Sequence, residues 1–225
     1  MGRFFLVLIL FLTAIPVYPA PSYGTKLPLA NKYFTGIQTH LVFERELEQE
    51  RGDLRSSQHF LQVSYGLFDW LALDLKIGVG NLKQHPLSSD EVDYNSSFAG
   101  GYGLRFKLYD QKKAKLVFGF QHISVHPYST DLNGIENKAI LDDWQVCLSG
   151  SYSFLRLTPY LGAKWSRLDY IHWLEQDRKR TMSDLTKGLG LILGVDIPLT
   201  DRTWVNFEGE LVSGQTLSGS FNISF

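Results

Sequence analysis

The segment TLSGSFNISF, residues 216–225, puts Leu217, Gly219, Phe221, Ile223 and Phe225 on one face of an extended strand and Ser218, Ser220, Asn222 and Ser224 on the other. Side chains alternate along a strand with period two, so one face is apolar and the other polar. The same alternation recurs upstream. Leu189, Leu191, Leu193, Val195 and Ile197 oppose Gly188, Gly190, Gly194 and Asp196. Trp144, Val146, Leu148, Gly150, Tyr152 and Phe154 oppose Gln145, Cys147, Ser149, Ser151 and Ser153. A helical period fits neither segment. Ten such strands are expected, at 35–47, 58–67, 71–82, 96–108, 114–126, 143–154, 157–170, 186–197, 203–212 and 215–225.

The connections alternate in length. Segments 68–70, 110–113, 155–156 and 198–202 are short, whereas 48–57, 83–95, 127–142 and 171–185 are long and polar. The turn at 213–214 breaks this pattern by being short. Short turns on one rim and long loops on the other describe a membrane-spanning barrel. The fold expected is therefore all-β, an antiparallel up-and-down transmembrane barrel of about ten strands, with eight as the neighbouring alternative.

Residues 1–24 read as a Sec signal peptide, with Arg3 as the positive region, an apolar run from Phe4 to Ile15 and a turn-prone tail. Small residues suit cleavage after Ser22 or after Gly24. Residues 25–225 then form one domain. No later stretch approaches the ~20 apolar residues of a membrane helix. Cys147 is the single cysteine, so no internal disulfide supports the fold. A net charge of −1 offers no footprint for nucleic acid. The 14% aromatic content and twenty glycines suit aromatic girdles and tight turns.

The polar face carries Gln38, His40, Glu44, Asp74, Lys76, Arg105, Lys107, Lys164, Asp196, Asn206, Glu208 and Glu210. In a membrane barrel this face turns inward; in a secreted soluble barrel that binds an apolar ligand it would turn outward. Aromatics near strand ends (Trp70, Trp144, Tyr152, Phe154, Trp173, Trp204) favour the membrane arrangement. Ten strands leave a lumen little wider than one filled by side chains, so a plug of paired charges is expected, with a narrow, porin-like passage as the other outcome.

On YGLFDWLALDLKIGVG (65–80), TPYLGAKWS (158–166) and the terminal strand ending in Phe225, the chain resembles small outer-membrane β-barrel proteins of Gram-negative bacteria, the class of OmpA-type and OmpX-type membrane domains. The resemblance implies an outer-membrane location with both termini periplasmic and the long loops extracellular. It also implies contact with lipid and lipopolysaccharide, and recognition of Phe225 by the barrel-assembly machinery. It implies hardly anything about activity; the role expected by default is structural, adhesive or that of a narrow pore, with no evident catalysis.

The fifth strand carries His122, Ser124 and His126 on the face of Leu116, Phe118 and Phe120. His-x-Ser followed by Asn133, Gly134 and Glu136 is similar to the arrangement in outer-membrane lipid A deacylases. That resemblance implies Ser124 as nucleophile, His122 as base and Glu136 orienting the imidazole, a constellation suited to ester hydrolysis at a lipid surface. The competing account places the strand in the polar headgroup zone, where His and Ser are well solvated. No nucleotide loop, metal-spaced Cys/His set or cofactor motif is present; GYG at 101–103 lies within a strand. The basic run QDRKR (176–180) could meet lipopolysaccharide phosphates. The acids of 46–50 and 91–93 have no diagnostic spacing for a divalent cation.

Overall fold

The computed structural model describes residues 24–48, 51–87, 90–174, 177–183, 188–211 and 214–225. Of the segment read as a signal peptide, only Gly24 falls among these, and Gln49, Glu50 and Gln176 also lie outside them. The strands are β1 (Tyr33–Glu46), β2 (Asp53–Phe68), β3 (Leu71–His85), β4 (Val92–Gln111), β5 (Ala114–His126), β6 (Thr130–Leu132), β7 (Ile135–Tyr152), β8 (Thr158–Leu174), β9 (Asp177–Met182), β10 (Leu189–Pro198), β11 (Thr203–Leu211) and β12 (Gln215–Ser224). Ten of them pair antiparallel in chain order, with β7 joining β5 to β8, and β12 returns to β1 to close the barrel. Closure leaves no barrel edge to be hydrogen-bonded by lipid, which cannot do so.

The terminal strand behaves as its alternation predicts. Gly36 faces Asn222 and Ile37 faces Phe221 across the seam. Ser218 and Asn222 are buried inside, whereas Leu217, Phe221 and Phe225 are exposed outside. Phe225 stacks on Tyr33 with centroids 4.9 Å apart.

The connections β2–β3, β4–β5, β7–β8 and β10–β11 are tight and lie together at one end of the barrel, the turn end, with Tyr33 and Phe225. At the opposite, loop end, strands replace most of the expected loops. β2 begins at Asp53 rather than 58, β4 at Val92, β7 at Ile135, and β8 runs on to Leu174 to pair with β9. The segments are polar, as read, but they stay paired: Lys83, for example, bridges Glu91 at 3.3 Å and Asp93 at 2.6 Å. The Asn133–Gly134 pair is the two-residue turn of the β6–β7 hairpin, with both residues at positive φ (57° and 82°). That is the geometry for which Asn-Gly is favoured.

The wall is consequently lopsided. β10, β11 and β12 have 10, 9 and 10 residues, close to the 9–11 needed to cross a bilayer, whereas β4, β7 and β8 have 20, 18 and 17. Outside, Leu61, Leu75, Ile77, Leu161 and Leu189 are each more than half exposed in a belt around the turn-end portion. A contiguous apolar belt of this kind belongs against lipid. Inside that belt the lumen is polar. Arg105 donates twice to Asp74, from Nε at 2.8 Å and from Nη2 at 2.9 Å, and Lys164 meets Glu210 at 2.5 Å. Tyr160 donates to Glu208 at 2.6 Å and Gln121 to Gln145 at 2.6 Å. The paired-charge plug expected from the sequence is therefore present.

Two residues depart from the expected faces. A bulge after Val42 shifts the phase of β1, so Arg45 instead of Glu44 enters the lumen, where it donates to the Ser166 carbonyl at 2.9 Å. Trp204 is not in the outer girdle. It is buried inside, edge-on to Phe34 with centroids 5.0 Å apart.

Candidate catalytic site on the outer wall

The β5 pattern keeps one phase from end to end: Val117, Gln121, Ile123 and Val125 point inward, and Phe118, Phe120, His122, Ser124 and His126 outward. What changes along the strand is the inner surface. Toward the loop end, Ile123 and Val125 join Leu54, Leu82, Tyr94, Leu141, Leu168 and Tyr170 in a buried apolar cluster. The outer face turns polar at the same level, because there the strand has an apolar core behind it and no need of one in front.

Register sets the neighbours. Ser124 lies opposite Asp142 of β7, and His122 opposite Trp144. Ser124 Oγ lies 2.8 Å from His126 Nε2 and donates to Asp142 Oδ1 at 2.5 Å. His122 Nε2 reaches the same carboxylate oxygen at 3.5 Å. His122 also stacks on Trp144, with centroids 4.0 Å apart, and lies 5.3 Å from Tyr102. His126 packs near Phe98. Tyr102 and Trp144 stand level with His122 and Phe98 level with His126, so aromatics flank the polar group, as expected at a membrane interface.

The site differs from the one expected. Ser124 and His122 are placed as predicted on the outer face, but the imidazole within reach of the hydroxyl belongs to His126. Glu136 does not take part: it sits in the β6–β7 hairpin, exposed and 3.6 Å from Lys138. It lies six residues along β7 from Asp142, roughly 20 Å of strand. Asp142 supplies the carboxylate instead. Its signal is the outward phase it shares with Ile140, Trp144 and Val146, which a loop over 127–142 would not have.

Ser124 carries one hydroxyl proton, so it serves Asp142 or His126 but not both at once. With the proton directed at Asp142, His126 acts as donor toward Oγ. With it directed at His126, the ring becomes the proton acceptor that a serine nucleophile requires, and Asp142 keeps only the 3.5 Å approach of His122, too long for a hydrogen bond. No carboxylate contacts His126 among the described residues. The order of contacts is thus His126, Ser124, Asp142, His122, rather than the Ser-His-Asp relay of serine proteases.

Beyond Asp142, the outer wall continues to Asp169, its register partner on β8, which meets Arg167 at 3.3 Å and Arg180 at 2.5 Å. The Asp169 carboxylate holds the Arg180 guanidinium above its ordinary pKa. The basic run 178–180 is thereby on β9, with Arg178 over the Trp173 ring at 5.5 Å. No cluster of three or more metal-ligating side chains occurs among the described residues.

No family model and no curated protein sequence matches the chain. Among solved structures it is similar to the transport unit of the autotransporter AIDA-I from Escherichia coli (10% identity, 92% of this chain and 93% of that one, TM-score 0.46). It is also similar to the translocator domain of the autotransporter NalP from Neisseria meningitidis (11%, 90% and 90%, 0.48) and to the outer membrane protease OmpT from Escherichia coli (12%, 90% and 97%, 0.39). This chain is itself a barrel of the outer-membrane type, by its closed antiparallel wall, polar lumen and apolar outer belt.

Proposed function

We propose that this protein works in a bacterial outer membrane as a non-conducting barrel whose outer wall hydrolyses ester-linked lipid. The observation that carries this reading is the placement of Ser124 within hydrogen-bond distance of both His126 and Asp142, on the outward-facing side of the wall and among interface aromatics. An acyl ester sits at that depth of a leaflet, between hydrocarbon and headgroup. Ser124 Oγ attacks the ester carbonyl while His126 takes its proton. His126 returns the proton to the departing alcohol, and water then releases the fatty acid from the acylated serine by the reverse exchange. Asp142 offsets the charge of the imidazolium through space, across the Ser124 oxygen.

In this reading the loop end faces outward and both termini are periplasmic. Exposed Arg178 and Lys179 supply cations for lipopolysaccharide phosphates. Phe225 serves as the handle for the assembly machinery. A filled lumen supports the absence of conduction.

The test is release of fatty acid from lipopolysaccharide and from phospholipid by the detergent-folded protein. Wild type should be active, Ser124→Ala and His126→Ala should lose nearly all activity, and Asp142→Asn most of it, since such groups act as a unit. Glu136→Gln should retain wild-type rates. An inert wild type would sink the hydrolase. It would leave the second reading, a structural or adhesive surface, which is favoured by the long paired strands that project on one side only.

A further inference from the structure

The chain does not stay at the rim before β1. From Tyr33 it turns back into the lumen, so that Gly24 and Thr25 are buried among strands far from them in sequence. Thr25 donates its hydroxyl proton to Ser151 Oγ at 2.8 Å. Arg105, while bound to Asp74, also donates to the carbonyls of Lys26 at 2.9 Å and Gly24 at 3.4 Å. Lys26 Nζ lies 3.7 Å from the centroid of the Trp204 ring, a cation–π contact that accounts for the inward turn of that tryptophan.

The carboxylate at the inner end of this segment is Asp196. It is 4% exposed, accepts from Asn206 Nδ2 at 2.8 Å and from the Thr25 backbone N–H, and has no cation within 4 Å among the described residues. Lys26 and Arg105 act on it only through space, the first being seated on Trp204 and the second on Asp74. A buried carboxylate without a contacting cation is expensive. The Thr25 nitrogen is already in contact with it.

We propose that the mature chain begins at Thr25 and that its α-ammonium, held inside the barrel, is the counter-ion of Asp196. The bond removed would be Gly24–Thr25, with Ser22 and Gly24 as the small residues that leader peptidases require at the third and first positions before the cut. Hydrolysis by water leaves a carboxylate on Gly24 and an amine on Thr25, which takes up a proton. A neutral amide donor to Asp196 thereby becomes a charge-assisted one. Departure of Gly24 gives up the longer of the two Arg105 contacts and keeps the shorter, to the Lys26 carbonyl. A cavity with about 20 Å³ of room for water adjoins the Gly24 position, enough for one molecule. Processing and plugging are then one event: the terminus made by the peptidase is the end of the segment that fills the turn-end lumen.

Three measurements on protein purified from outer membranes decide it. Terminal sequencing should give Thr25 as the first residue; a start at Tyr23 or earlier overturns the proposal. An amine reagent used near neutral pH, where α-amines are much more reactive than lysines, should modify the terminus at least tenfold more slowly in the folded barrel than after boiling. Equal rates would place the terminus outside. Finally, Asp196→Asn is compared in two refolded chains, one beginning at Thr25 and one extended by two glycines. The shift of the urea midpoint should be at least twice as large in the unextended chain; equal shifts would show that the ammonium is not the partner of Asp196.

Discussion

The two halves of this lumen obey opposite rules. In the turn-end half the interior holds Asp74, Lys76, Arg105, Lys164, Glu208 and Glu210, while the exterior is Leu, Ile, Val and Phe. In the loop-end half the interior is Leu54, Leu82, Tyr94, Val125, Leu141, Leu168 and Tyr170, and the exterior, beyond the level of Ser124, carries Asp93, Ser96 and Lys138. The strands run through both without a change of phase in β5 or β7. What changes is the solvent outside: against hydrocarbon a wall hides its polar groups inside, and in water it hides its apolar ones. The tall side of the barrel is a membrane protein below and an ordinary soluble β-structure above. Burial pushes the phenols of Tyr94 and Tyr170 up in the upper half, where their hydroxyls lie 3.3 Å apart and Tyr170 donates to Gln84 at 2.8 Å.

The comparison is broken most directly in the polar half. Asp74→Ala strands the Arg105 guanidinium among buried groups and should destabilise the barrel by about 3–5 kcal/mol in urea unfolding from lipid vesicles. Replacing Asp74 and Arg105 together by apolar residues should restore much of the loss. In the apolar half the same measurement on Leu82→Ala, a fully buried side chain, should give about 2–5 kcal/mol from lost burial and an unfilled cavity. No second-site change of charge should rescue it.

The outer boundary between the halves can be located by charge. Leu191→Arg, in the apolar belt, should lose about 2–4 kcal/mol. Ser96→Arg, exposed on β4 two residues beyond Phe98, should change stability by less than about 0.5 kcal/mol. If both were equally harmful, lipid would extend past the girdle and the soluble character of the tall side would be wrong. A local effect is expected farthest from the membrane. Gly134→Ala, at φ 82° but with open space around the added carbon, should weaken the barrel by only about 1–2 kcal/mol, seen as faster local hydrogen exchange in the β6–β7 hairpin.

Alternation along a strand is a local property, which is why the sequence by itself determined the β class, the barrel strands to within a few residues at their turn ends, and the outward phase of Ser124 and His126. It determined the charged character of the lower plug for the same reason, since Asp74, Lys76 and Arg105 fall on the face opposite the leucines. It could not determine where the strands stop at the loop end: polar residues satisfy a solvated loop and a solvated strand alike, and only pairing between β7 and β8, or β8 and β9, distinguishes them. Nor could it choose the acid beside Ser124. Glu136 is nearer in sequence, but the β5–β7 register brings Asp142 across and carries Glu136 away into the hairpin. That choice belongs to the tertiary structure, because register between strands is set by hydrogen bonds and packing along the whole ladder and not by the residues at the site.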